Sequence, residues 1–297
     1  MDFNNQTALR LAKVCQWAYD FEEDFEGELL EFDGDLPTEQ EIQIFDSQRI
    51  PTSFAGVVEY SNVVILAFQG TITEFGRDGE FRIDSLIDWI QNFRVELVST
   101  EQSGLPGNVH KGFLSQLDLV YETVVDVLRT SRGKPILVTG HSQGGAVAFL
   151  ATRRLIQDGF NVEATYTFGA PKAGDAKFVK SINTPCFRVE FGNDIVPHVP
   201  PSLKSSKFFA NAISVIRKFI DLPDTLVAFE KLSKQISKTG YATAGSLIYG
   251  SPNQELLVSP DVKTESKLET KRRRSLLRSG KKLLGHHGIA NYISLFR

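Results

Sequence analysis

The chain has 297 residues, 41% of them apolar and 23% charged, a balance that excludes disorder as the default state and allows one large α/β domain or two smaller ones. Its 33 lysines and arginines face 36 aspartates and glutamates, a formal charge of −3, so nothing pulls the whole molecule toward nucleic acid and any basic attraction must come from a local patch. Two cysteines, Cys15 and Cys186, form neither a disulfide framework nor a metal-ligand spacing, and are expected as core residues of a protein kept in a reducing compartment.

At the start, MDFNNQTALR has no basic segment leading into an apolar stretch and a cleavage site, and no apolar run in the chain reaches membrane-spanning length. The expectation is a soluble, cytoplasmic protein. From Thr7 to Tyr19, the residues Leu9, Leu11, Ala12, Cys15, Trp17 and Ala18 recur at helical spacing and predict a helix packed on something larger. The acidic FEEDFEGELLEFDGD that follows is expected to be a solvated connection. AGVVEY (55 to 60) and VVILAF (63 to 68) are β-branched runs separated by Ser61 and Asn62, which predicts an antiparallel hairpin. Later strands are predicted at ILVTG (136 to 140), EATYTF (163 to 168) and CFRVEF (186 to 191), with segments of helical length and period between them. That alternation implies an α/β fold with a mainly parallel sheet covered by helices on both faces. Residues 202 to 240 interrupt the rhythm with two amphipathic helices joined at Pro223, and residues 263 to 284, KTESKLETKRRRSLLRSGKKLL, with a strongly basic run. There is no internal repeat.

The chemistry concentrates at GHSQGG, residues 140 to 145. ILVTG runs into this motif and HSQGGAVAFLATRRLI leaves it with helical spacing, so Ser142 stands where a buried strand turns sharply into a helix. A turn that tight tolerates little bulk, hence Gly140 and Gly144 on either side, with Gly145 and Ala146 easing the helix packing. The helix N-terminus brings backbone N–H groups to the same place, among them that of Gln143, where a negative oxygen would be stabilised. A serine hydroxyl needs a base, and five histidines are available. His141 adjoins the serine and would project elsewhere; His110 precedes the nucleophile, and His198 lies in a proline-rich loop. A histidine after the last strand, His286 or His287, fits a serine, acid, histidine order. The acid must orient the imidazole. Asp194 follows CFRVEF at the carboxyl end of a strand, where ligand sites of such sheets gather; the rival, Asp175, has the context of a helix-start residue.

The motifs AFQGT (67 to 71), DWIQNF (88 to 93), VHKGF (109 to 113), ILVTGHSQGGAVA (136 to 148), YTFGAPKAGD (166 to 175), VEFGNDIVPHVPP (189 to 201) and HGIANYI (287 to 293) together resemble the lipase class 3 family, the fungal-type triacylglycerol lipases and their relatives. The resemblance runs from about residue 5 to the end, and implies a single α/β-hydrolase domain over residues 1 to 297, with a lid at about 72 to 88, a helical insertion at about 202 to 240 and the basic segment at about 263 to 284. It implies Ser142 as nucleophile, Asp194 as acid and His287 as base, because the family's histidine precedes a small residue and then a stretch ending in Tyr, here Tyr292. It places oxyanion donors at Thr71 and at the Gln143 N–H, with Gly70 admitting a substrate oxygen close to the backbone. The chemistry it implies is hydrolysis of lipid carboxylic esters through an acyl-enzyme, without metal or organic cofactor. The chain departs from the family pattern at Gln143, where leucine is common, at His286, where aspartate is common, and in its long interval between acid and histidine.

Other readings of the same residues are a phospholipid or galactolipid acyl hydrolase, an acyltransferase, and a non-catalytic lipid-binding or scaffold protein on the same fold. For the basic segment, the bland reading is a solvated helix face or loop. The sharper one is peripheral contact with an anionic membrane, since Leu276, Leu277, Leu283 and Leu284 interleave with the charges. Nucleic acid lacks the aromatic platform it would need.

Overall fold

The computed structural model describes residues 1–19, 31–35, 37, 42–46, 54–70, 96–99, 105–131, 133–200, 240–279 and 285–297. In chain order the elements are helix α1 (Asn5–Trp17), strands β1 (Ile42–Asp46), β2 (Phe54–Glu59), β3 (Val64–Phe68), β4 (Leu97–Ser99) and β5 (Asn108–His110), and helix α2 (Lys111–Thr130). Strand β6 (Ile136–His141), helix α3 (Gln143–Gln157), strands β7 (Val162–Phe168) and β8 (Gly174–Asp175), and helix α4 (Ala176–Lys180) follow. Strands β9 (Cys186–Phe191), β10 (Tyr241–Ala242), β11 (Ser246–Gly250) and β12 (Leu256–Val258) then lead to helices α5 (Val262–Ser279) and α6 (Ile289–Ser294).

Eight strands form the main sheet in the order β1-β2-β3-β6-β7-β9-β11-β12. The five from β3 to β11 run parallel, while β1 and β2 enter antiparallel at one edge and β12 closes the other. The expected hairpin is the β2–β3 pair, in register from Ala55 opposite Phe68 to Glu59 opposite Val64. Strands β10, β8, β5 and β4 make a small antiparallel sheet.

Two helical layers explain the unbroken apolar run of β3. Every residue of β3 is buried, because Val64, Leu66 and Phe68 meet α2 and α3 on one face while Ile65 and Ala67 meet α1 and α6 on the other. Complete burial of such side chains stabilises by roughly 1.5–3 kcal/mol each. Helix α1 begins at Asn4, whose side chain accepts the Thr7 N–H at 2.9 Å, and it buries Leu11, Ala12, Cys15 and Trp17. Both cysteines are free and buried, and burial pushes each thiol up to about 12.

Part of the acidic connection is not solvated. Phe32 is 6% exposed and packs on the Tyr60 ring, and Asp33 pairs with Arg10 of α1, so the end of that stretch is drawn onto the helix by one aromatic residue. Asp175 caps α4 by accepting the Phe178 N–H and also receives the Asn108 N–H and side-chain amide, which makes it a structural brace. The segment expected as a lid (about 72 to 88) and the helical insertion (about 202 to 240) lie outside the described residues, the insertion except for Gly240.

Candidate active site

Ser142 joins β6 to α3 at φ 54° and ψ −130°. A side chain there carries backbone strain, which the fold sustains by overdetermining the turn. Its N–H donates to the Phe168 carbonyl at 2.9 Å and its carbonyl accepts the Gly145 N–H at 3.0 Å. The flanking glycines are required by space: a Cβ on Gly144 would stand 2.1 Å from the Phe68 carbonyl oxygen, and one on Gly140 would stand 2.4 Å from Gly144 backbone. The elbow is thus wedged between the ends of β3, β6 and β7, and the serine side chain is held above them.

Three segments meet at that side chain. The Ser142 Oγ lies 2.8 Å from Nε2 of His287, and Nδ1 of His287 lies 2.7 Å from Oδ2 of Asp194. Asp194, three residues past the end of β9, is wholly buried, as is His287, which precedes α6. Burial alone would raise the Asp194 pKa. The attraction of His287 and the hydrogen bonds from His287, the Tyr292 hydroxyl and the Val196 N–H outweigh it and hold the carboxyl below its ordinary value. An ionised Asp194 only accepts, so Nδ1 carries the proton, and Nε2 of the neutral ring accepts from the serine hydroxyl. Gly169, at φ +58°, leaves room for this contact, since a Cβ there would stand 2.8 Å from Oδ2 of Asp194 and 3.1 Å from Cε1 of His287.

A second histidine supports the first. The Nε2–H of His141 donates to the His287 backbone carbonyl at 2.7 Å, and its Nδ1 accepts from the Tyr19 hydroxyl at 2.7 Å. Burial, with His287 alongside, pushes the His141 imidazole down to about 3, which keeps it neutral, and the His287 carbonyl, which can only accept, fixes this tautomer. The Tyr19 hydroxyl oxygen in turn receives the Gly70 N–H. Gly70 is confined by these same neighbours. A Cβ on it would stand 2.1 Å from the Tyr19 hydroxyl and 2.9 Å from the His141 carbonyl oxygen, so its small size serves internal packing. This tyrosine bridge was not legible beforehand; the only sequence signal was an aromatic residue at the end of the first apolar helix.

The remaining expectations fall as follows. Gln143 opens α3 and is 7% exposed, its N–H directly after Ser142 in the chain. Thr71 lies outside the described residues, so only half of the expected oxyanion pair has a described position. His286 points away from the serine, with its Nδ1 accepting the Asn193 N–H at 2.8 Å beside the acid turn. His110 accepts the Phe113 N–H as the cap of α2, and His198 is buried in the short 3-10 helix Val196–His198. Among the described residues no group of three or more His, Cys, Asp or Glu is arranged to hold a metal ion.

Beside the acid turn lies a buried ionic network that composition alone had not suggested. Arg188 and Glu190 on β9 pair with each other at 3.1 Å; Arg188 also reaches Glu265 of α5 at 2.7 Å, and Glu190 pairs with Arg272 of α5. Burial opposes charge on Glu190, but Arg188, Arg272 and His198 together bring its carboxyl down to about 2. Arg272, counted in the sequence as one of a solvated basic run, is 3% exposed.

A mostly parallel sheet between helical layers, with a serine on the elbow after a central strand and an acid and a histidine on later loops, defines the α/β-hydrolase type. The lipase (class 3) family model matches residues 82–204, a span that includes the elbow and Asp194. A lipase from Rhizopus niveus is 38% identical over 174 residues, covering 52% of this chain and 41% of that protein. A secreted mono- and diacylglycerol lipase from Fusarium solani is 36% identical over 121 residues, covering 38% and 36%. The chain thus spans well under half the length of these curated relatives. Among solved structures, Rhizomucor miehei triacylglyceride lipase superposes with a TM-score of 0.61 at 21% identity, over 97% of this chain and 96% of that one. Lipase II from Rhizopus niveus superposes at 0.56 and 21% identity, over 82% and 80%. At that identity the superpositions establish the fold.

Proposed function

We propose that this protein is a serine hydrolase that cleaves carboxylic ester bonds of lipids, with acylglycerols as the first class to try, and that residues 1 to 297 act as one domain. The observation that carries the reading is the unbroken hydrogen-bonded chain from Asp194 through His287 to a serine on a positive-φ elbow. Ser142 Oγ attacks the acyl carbonyl carbon as His287 Nε2 takes its proton, and Asp194 stabilises the resulting imidazolium. The tetrahedral oxyanion is met by the Gln143 N–H and by Thr71. Losing one such donor costs roughly a hundred- to a thousandfold in rate. Collapse of the intermediate expels the alcohol, which takes the proton from His287, and leaves an acyl-Ser142 ester. Water then attacks that ester, gives its proton to His287, and releases the fatty acid with Ser142 restored.

Lipase relatives at 34–38% identity support the ester class. A phospholipase A1-II 1 from rice, 23% identical over 166 residues, favours keeping a phospholipid acyl hydrolase as the second reading. For the cell compartment, the two buried free thiols support a cytoplasmic site, whereas one relative is secreted. Among the described residues no helix is long and apolar enough to cross a membrane. Peripheral contact with an anionic membrane is supported by Lys263, Lys267 and Lys271, which stand exposed at four-residue spacing along α5. Co-sedimentation with anionic but not zwitterionic vesicles is the expected result for that contact, and equal sedimentation with both, or sedimentation with neither, would remove it.

The deciding experiment is hydrolysis of short- and long-chain acylglycerol and phospholipid esters, with fluorophosphonate labelling alongside, for the intact chain, Ser142→Ala and His287→Ala. Turnover and labelling in the intact chain and loss in both variants are expected. A folded intact chain that neither turns over nor labels would overturn the enzyme reading in favour of lipid binding.

A further inference from the structure

The basic segment was expected to face solvent or lipid, yet its Arg272 is turned inward and grips both sides of the turn that carries the acid. One guanidinium nitrogen, NH1, donates to Oε2 of Glu190 near the end of β9, and the other, NH2, donates to the backbone carbonyl of Asp194 itself at 3.3 Å. The two acceptors bracket Phe191, Gly192 and Asn193, with Gly192 at φ +51°. The second oxygen of Glu190 is held by Arg188, and Arg188 returns to α5 through Glu265. Arg272, Glu190, Arg188 and Glu265 therefore form a closed ring that starts and ends on the helix. All three residues at its centre are at most 4% exposed.

We propose that Arg272 is a positioning residue for the acid: α5 is a brace that fixes the turn after β9, and through it the placement of the Asp194 carboxylate against His287. The inference rests on the hydrolase reading above. Its physical basis is that donors from His287, Tyr292 and Val196 set the Asp194 carboxylate, while the backbone that carries it leaves a sheet strand through a glycine turn, tied to β11 by the Gly192 N–H, which donates to the Gly250 carbonyl at 2.8 Å, and to His286 by the Asn193 N–H at 2.8 Å. The Asp194 N–H bonds to the Phe191 carbonyl at 3.0 Å and so closes the turn on itself. Arg272 adds the tie from that turn to α5, and it alone spans both ends of the turn with one side chain. A planar fork with two donors suits the task, since it holds a carboxylate and a carbonyl at once in fixed relation. A lysine in the same place, a single point of charge, can serve one acceptor or the other.

The cluster also gives the basic segment two distinct faces. Glu265, Leu268, Glu269 and Arg272 are partly or wholly buried, while Lys263, Lys267 and Lys271 are exposed. The residues that hold the acid turn are thus separate from those that would meet an anionic surface, and the two roles can be varied independently.

The test compares Arg272→Met, Arg272→Lys and Lys267→Ala with the intact chain by steady-state kinetics on a soluble short-chain ester, with circular dichroism and thermal unfolding as controls. The downfield proton resonance of the His287–Asp194 hydrogen bond is a second readout. Expected for Arg272→Met is a kcat lower by roughly ten- to a hundredfold with KM little changed, as a displacement of the order of an ångström in the acid would cause. A shifted or broadened downfield resonance should accompany it. Arg272→Lys should recover part of kcat, and Lys267→Ala should behave as the intact chain. Should Arg272→Met fail to fold, Arg272→Lys decides: reduced kcat with native circular dichroism supports the proposal. Kinetics and resonance like those of the intact chain in folded Arg272 variants, even with lower thermal stability, would show the ring to be a structural tie alone and overturn it. If the intact chain has no turnover, the hydrolase reading fails, while the resonance still reports whether Arg272 sets the Asp194–His287 geometry.

Discussion

Tyr292→Phe isolates one of the three donors that hold Asp194. The tyrosine ring is wholly buried in the layer of α1 and α6 and its hydroxyl donates to Oδ2 of Asp194, the oxygen that also accepts from His287. Phenylalanine keeps the ring packing, so the change removes a hydrogen bond to a buried charge and little else. Such a bond contributes about 1.5–3 kcal/mol, and that is the expected loss of unfolding free energy at pH 7. The pH dependence follows from linkage. The folded Asp194 pKa lies below its unfolded value, so its contribution to stability is present above about pH 4 and is lost as pH falls through the folded value. Removing the tyrosine donor raises the folded pKa toward the ordinary one, so the variant takes up its proton at higher pH than the parent. The stability gap should therefore be constant down to about pH 4 and narrow below it. Urea unfolding of both proteins from pH 7 down through the acid transition measures the gap, with kcat at neutral pH as a parallel readout expected to fall by roughly tenfold. A gap under about 0.5 kcal/mol at pH 7, below the range for a bond to charge, or one that does not change with pH, would refute the assignment of Tyr292 as a partner of the ionised carboxylate.

Ser142→Gly and Ser142→Ala should both lack turnover, but the glycine variant should unfold at the higher temperature. It relieves a positive-φ strain worth about 1–3 kcal/mol that the alanine variant retains, and equal unfolding temperatures would contradict the strained elbow. Glu190→Gln leaves Arg188 and Arg272 buried without their shared carboxylate, and should cost about 3–5 kcal/mol at pH 7 by chemical denaturation. Because Glu190 titrates near 2 in the fold, the stability it contributes in the parent should fade only as pH drops from about 4.5 toward about 2; the variant should lack that part of the acid transition. His141→Phe breaks the tie between Tyr19 and the His287 carbonyl, and should lower kcat by roughly tenfold without changing the shape of the pH–rate profile. A lost ionisation in that profile would mean that His141 titrates in the working range after all.

What could be read from the chain by itself was local. The strand and helix around GHSQGG are written in the apolar run Ile136 to Val138, two glycines whose missing Cβ atoms the turn needs, and an alanine-rich helical period, because elbow geometry depends on neighbours a few residues apart. The hairpin 55 to 68 and the strands predicted at 163 to 168 and 186 to 191 were legible for the same reason, their β-branched and aromatic residues being close neighbours in the chain. The short edge strand Leu256–Val258 escaped notice because partial burial asks for no strong apolar pattern. Which acid and which histidine meet Ser142 is a matter of residues 52 and 145 positions away, and spacing along the chain carries no information about it; the sequence order and family resemblance pointed to the pair, and the sheet order brings them within 2.7 to 2.8 Å of one another. Tyr19, Tyr292 and Arg272 were beyond reach for a plainer reason. An aromatic residue on an apolar helix reads as packing and an arginine in a basic run reads as solvated, until the tertiary fold puts a hydroxyl against His141, another against Asp194, and a guanidinium across the acid turn.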